Sequence, residues 1–124
     1  MQNAIKKILP SALPQRIETW TSTGVFDSNW LVGESAIWIE YKQIRKKKKH
    51  PICSYKIPWR DGQIVWAIKR LNKGAKDMYL ALLIDKELIF IQIDMIRIAL
   101  LRESTPYSIL KELDSITRNK MGLK

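Results

Sequence analysis

The chain has 124 residues, with 22 Lys plus Arg against 12 Asp plus Glu, a formal charge of +10 and a pI near 9.9. That length predicts one domain with a modest core, and an apolar content of 46% excludes an intrinsically disordered chain. Such a charge favours a polyanionic partner, with nucleic acid first and an anionic membrane surface second.

The single cysteine, Cys53, excludes an internal disulfide and fits a reducing cytosol. "MQNAIKKILPSALP" lacks the apolar core of a signal peptide, and no stretch approaches the roughly 18 apolar residues of a membrane span. The expected setting is cytoplasmic, without membrane association.

Taken in chain order, residues 1–15 read as an N-terminal arm in which "AIKKIL" makes a short amphipathic turn and Pro10 and Pro14 interrupt any helix. "RIETW" is a short strand or the end of that arm. "GVFDSNWLVG" and "SAIWIEYKQI" read as two strands of a hairpin joined through "GES". "RKKKKHPICSYK" is a basic loop. "PWRDGQIVWAIKRLNKG" is a helix, with Ile64, Ile68 and Leu71 at helical spacing and Gly74 as its C-cap. "MYLALLID" and "KELIFIQI" are two further strands meeting at Asp85-Lys86. Asp94 is expected to cap a helix over "DMIRIALLRES". Thr105 and Pro106 are expected to be the N-cap and first residue of a terminal helix.

This order predicts a mixed α/β (α+β) domain, a central mixed sheet flanked by helices. The core is expected over residues 16–93, with C-terminal helices over 94–124.

Side chains alternate across a strand, so Ile37, Ile39 and Tyr41 point one way and Trp38, Glu40 and Lys42 the other. If "GVFDSNWL" pairs alongside, Asp27 brings a carboxylate to the face of Glu40 and Lys42. Two carboxylates, backbone carbonyls and water make an oxygen shell suited to Mg²⁺, which offsets phosphate charge and acidifies water. A lysine ammonium beside it orients that water and stabilises developing charge. Glu-x-Lys alone is a weak signal; the upstream Asp on a neighbouring strand and the basic surroundings strengthen it. The competing reading is an exposed cross-strand charge cluster, worth little to stability.

"RIETWTSTGVFDSNWLVGESAIWIEYK" resembles the core of the PD-(D/E)xK nuclease superfamily, in particular phage VRR-NUC-type nucleases and phage Holliday-junction-resolving endonucleases. The resemblance spans residues 16–84 or so and implies a restriction-endonuclease-like core. It implies a Mg²⁺- or Mn²⁺-dependent endonuclease leaving 5′-phosphate and 3′-hydroxyl ends, phage-encoded or bacterial, and a homodimer acting on branched or duplex DNA. By resemblance, Asp27 and Glu40 hold the metal with the backbone carbonyl of Tyr41, Lys42 positions or activates water, Glu18 completes the acidic site, and Gln63 steadies Lys42 or the water. Phe26 stands where the family pattern has Pro.

Arg45, Lys46, Lys47, Lys48 and Lys49 form a cationic run next to the Glu-Lys strand end, suited to gripping phosphates, or else a solvated loop. Arg60, Lys69, Arg70, Lys73 and Lys76 add a basic helix side. His50 and Cys53 carry no zinc pattern. The five tryptophans read mainly as anchors of the core, with Trp38 and Trp59 able to stack an unpaired base. The alternatives to a nuclease are a non-catalytic basic nucleic-acid-binding module and, third, an adaptor for an acidic protein.

Overall fold

A computed structural model describes residues 2–15, 25–26, 28–45 and 53–123, with the backbone alone described at 2–4 and 15. Glu18, Asp27, Lys46–Lys49 and His50, and the "RIETW" segment, lie outside the described residues. Among the described residues, a five-stranded sheet runs β1 (Leu13–Gln15), β2 (Ser28–Val32), β3 (Ser35–Ile44), β5 (Met78–Ile84), β6 (Glu87–Gln92) in spatial order. It is mixed: β3 and β5 are parallel and the other neighbours antiparallel. A two-residue strand β4 (Ser54–Tyr55) pairs with β7 (Thr105–Pro106) apart from it. The helices are α1 (Gln2–Ile8), α2 (Gln63–Asn72), α3 (Met95–Leu101) and α4 (Tyr107–Met121). The expected mixed α/β architecture, a central sheet flanked by helices, is what the chain adopts.

Both hairpins form where the turn chemistry places them. β2 and β3 meet at Gly33-Glu34, with Gly33 at φ 62°, and β5 and β6 at Asp85-Lys86, with Asp85 at φ 55°. Gly takes the left-handed region freely, and Asp is among the few other residues that tolerate it. A parallel neighbour needs a crossover, and α2 is the helix between β3 and β5. β5 is central, so its run "MYLALLI" is buried on both faces rather than alternating.

Each face has its own core. On one, Met78, Leu80, Leu82 and Ile84 pack with Ile89 and Ile91, Phe26, Tyr55, Ala67 of α2 and Ile98 and Leu101 of α3. On the other, Trp30, Ile37, Ile39, Tyr79, Ala81 and Phe90 pack with Ile5, Ile8 and Leu9. Each buried Leu, Ile, Met or Phe among them contributes roughly 1.5–3 kcal/mol by leaving water. The segment expected as an arm is thus built into the sheet: α1 covers one face and β1 pairs with β2.

Asp94 caps α3 as expected, its side chain accepting from the Arg97 N–H at 2.8 Å. Thr105 does not cap α4. It is buried in the β4–β7 ladder, its hydroxyl donating to the Leu100 carbonyl at 2.9 Å, and Pro106 takes the N-cap position with helical backbone starting at Tyr107. The hydroxyl is engaged behind the helix and cannot reach its first amides. α4 packs on β6 and α3 against α2, with Ile98 and Leu101 joining the core, although α3 leaves Met95, Ile96 and Leu100 exposed.

Candidate active site

β3 supplies the two charges. Trp38, Glu40 and Lys42 share a face, and their parallel partners on β5 are Met78, Leu80 and Leu82. Tyr41 turns to the opposite core, as alternation requires. Glu40 is fully buried, and the Lys42 side chain keeps 8% of its exposure; Lys42 Nζ lies 2.9 Å from Glu40 Oε2. The exposed charge-cluster reading is therefore corrected: the sheet face that carries the pair is covered, by α2 and the segment leading into it.

That cover is specific. Gly62, at φ 84°, precedes α2 and lets the chain turn from 58–61 into the helix. Gln63, the first helical residue, is fully buried. Its Oε1 accepts from the Arg60 N–H at 2.8 Å, while its Nε2, also buried, finds no acceptor among the described residues. Arg60 itself brings Nη2 to 4.0 Å from Glu40 Oε1 with more than half of its side chain exposed, so it joins solvent to the buried carboxylate. Farther along α2, Ala67 is buried one turn after Gln63, and Ile64, Trp66, Ile68 and Leu71 pack on the core. Helical periodicity marks this face; it does not reveal that a glutamine shares it.

Phe26, 1% exposed, stacks on Trp59 at 6.2 Å between centroids and tilts against Trp66 at 5.0 Å, and Trp66 meets Trp38 edge-on. Position 26, where the resembled family has Pro, is thus an aromatic anchor holding the chain just before β2 against α2 and its lead-in. Ser28 Oγ donates to the Ile39 carbonyl at 3.0 Å and accepts from Trp30 Nε1, which pins the start of β2 to β3 beside Glu40.

The structure therefore brings Glu40, Lys42 and Arg60 together, and Gln63 is tied to Arg60 through that residue's backbone N–H. From sequence, Arg60 counts only among the DNA-gripping cations, and its approach to Glu40 is not visible; its place three residues before Gln63 is the available signal. Arg45 is exposed directly after β3. Arg70 does not belong to a free basic helix side: it forms a bidentate pair with Asp77 at 2.7–2.8 Å and lies over Trp66. Among the described residues no three His, Cys, Asp or Glu side chains converge as a metal-holding group. No helix among them is long and apolar enough to cross a membrane.

No protein-family model matches this chain, and no curated protein matches it.

Proposed function

We propose that this protein is a metal-dependent DNA endonuclease of the PD-(D/E)xK type, acting on branched or structured DNA and leaving 5′-phosphate and 3′-hydroxyl ends. The observation that carries the reading is the burial of Glu40 with Lys42. Desolvating two charges costs several kcal/mol each, and a hydrophobic pair of similar volume is often as stable or more so. A pair kept at that cost, beside a buried amide N–H with no partner among the described residues, has the character of a functional site.

The donor set fits a hard cation. Glu40 offers a carboxylate and Tyr41 a carbonyl; Asp27, bonded in the chain to Ser28, whose partner is Ile39 next to Glu40, would add the second carboxylate. Mg²⁺ or Mn²⁺ held there would offset phosphate charge and make water more acidic.

The chain's own groups do the rest. Lys42, oriented by Glu40, donates toward the attacked phosphate or the attacking water and stabilises charge as it develops. Gln63 Nε2 has a donor to give to the same water or phosphate oxygen, its carboxamide locked by the Arg60 N–H. Arg60 meets a phosphate from the solvent side. Glu18 completes the acidic site, and Arg45–Lys49 grip the neighbouring backbone. A homodimer, each copy cutting one strand, belongs to the same proposal.

Glu40→Gln and Asp27→Asn are expected to abolish cleavage while DNA affinity is kept or tightened, because each removes a negative charge facing phosphate. Cleavage at the parental rate by both variants would refute the site. Undiminished binding without cleavage in any form, the parent included, would make the protein a binding module.

A further inference from the structure

A cleft of about 500 Å³ opens between the segment leading into α2 and the first turn of that helix, within the roughly 300–1,000 Å³ of small-ligand clefts. Pro58, Trp59, Ile64 and Val65 line it, and Lys56 and Arg102 are the charged residues of its wall. It interleaves with the candidate site. Trp59 and Ile64 belong to the cleft, while Arg60 and Gln63, their neighbours in the chain, belong to the site around Glu40.

Trp59 is held in place: Nε1 donates to the Leu101 carbonyl at 3.0 Å, and the ring stacks on Phe26. A half-buried indole fixed at both ends loses little freedom when something stacks on it. Val65, 55% exposed on the first turn of α2, extends the apolar wall toward solvent. Among the described residues, the lining therefore combines an aromatic and aliphatic floor with two cations and no anion. A nucleobase flanked by phosphates has the complementary pattern, an apolar π-face with negative charge along its edge. A nucleotide paired within a duplex cannot present its face to a tryptophan without unstacking; only the outermost pair of a blunt end can.

We infer that this cleft binds an unpaired nucleotide of a single-stranded DNA segment adjoining the phosphate held at Glu40 and Lys42. This rests on the nuclease reading for its location, and it names the substrate class: DNA carrying a single-stranded element, such as a flap, an overhang or an opened branch point.

The test uses fluorescence anisotropy in EDTA with the full-length chain and three labelled probes: a blunt duplex, a single-stranded oligonucleotide and a duplex with a single-stranded flap. Val65→Glu and the pair Lys56→Gln with Arg102→Gln alter exposed positions and leave the core untouched. Trp59→Phe keeps the ring on Phe26 and tests stacking. The parent is expected to bind flap and single strand more tightly than blunt duplex. Val65→Glu and the double cation variant should lose about tenfold or more on those two probes, the scale of one stacked base, Trp59→Phe a smaller factor because an aromatic face remains, and all of them much less on the duplex.

Equal losses on all three probes, or no preference in the parent, would overturn the inference by reducing the cleft to general electrostatics. Cleavage in Mg²⁺ is scored separately. A parent that cuts DNA while the variants keep the flap preference refutes the cleft alone. A cleft-dependent flap preference in a parent that never cuts supports the cleft and refutes the nuclease.

Discussion

Lys42 keeps 8% of its side-chain exposure and Glu40 none, yet both would be charged groups in a sheet face otherwise made of Trp38, Leu80 and Leu82. A single and a double variant at this pair should behave differently. Lys42→Ala takes the nearer cation from a buried carboxylate, leaving the more distant Arg60, and is expected to cost up to about 3–5 kcal/mol. Glu40→Leu combined with Lys42→Met makes the face apolar throughout and is expected to unfold at the parental urea midpoint or above it, without the cleavage proposed for the parent. Equilibrium urea unfolding of the three proteins checks this; a double variant as weak as Lys42→Ala would mean that the pair serves the fold. Strand alternation is enough to put Glu40 and Lys42 on one side from the sequence. Their burial is not legible there, because what covers them comes from Phe26, Trp59, Arg60 and Gln63, residues that no local period connects to β3.

At the scale of elements, β6 would be an open sheet edge but for α4. Asp114 accepts from the Phe90 N–H at 2.7 Å, Thr117 Oγ1 from the Gln92 N–H at 3.0 Å, and Arg118 donates to the Leu88 carbonyl at 2.7 Å. Asp114 and Thr117 are buried on the very face of the helix where apolar residues would be expected. Helix side chains thus complete a strand's ladder, which removes a template for edge-to-edge association. Asp114→Ala and Thr117→Val each strand a buried amide and are expected to cost about 1–3 kcal/mol, with faster hydrogen exchange at Phe90 or Gln92 respectively.

Tyr107 at the start of α4 is hydrogen-bonded to Glu87. Burial first, and then that bond, push its hydroxyl from 10.0 up to about 12. The unfolded chain releases this proton near pH 10 and the folded one near 12, so the contribution to stability is whole below 10 and is lost as pH rises to 12. Tyr107→Phe should flatten the alkaline fall in stability over that window, read from thermal melts at stepped pH; an unchanged fall would assign it to other groups. The hairpins are legible in the sequence because Gly33 and Asp85 announce their turns. The β4–β7 ladder is not: two residues carry no period, and Thr105 before Pro106 has the composition of a cap.

For the whole molecule, a charge of +10 is spread unevenly in its usefulness. Arg70, Lys111 and Arg118 are committed to Asp77, Glu87 and Asp114. Arg45 and Arg60 are exposed next to the candidate site, and Lys56 and Arg102 line the cleft beside it. Neutralising Arg45–Lys49 is expected to flatten the salt dependence of DNA binding by about 0.9 in log–log slope for each phosphate that the run neutralises in the parent. An unchanged slope would remove that run from the interface. The dimer in the proposal has a physical handle in α3, whose Ile96 is 76% exposed beside Met95 and Leu100.

The most direct test is cleavage of a four-way junction and of its linear duplex arms by the parent and Lys42→Ala, in Mg²⁺, in Mn²⁺ and in EDTA. Cuts are expected that need a divalent ion, favour the junction, and disappear with Lys42→Ala in protein that is still folded and still binds DNA. Intact DNA under every condition, bound tightly by the parent, would contradict that expectation and leave the buried Glu40–Lys42 pair without a catalytic role.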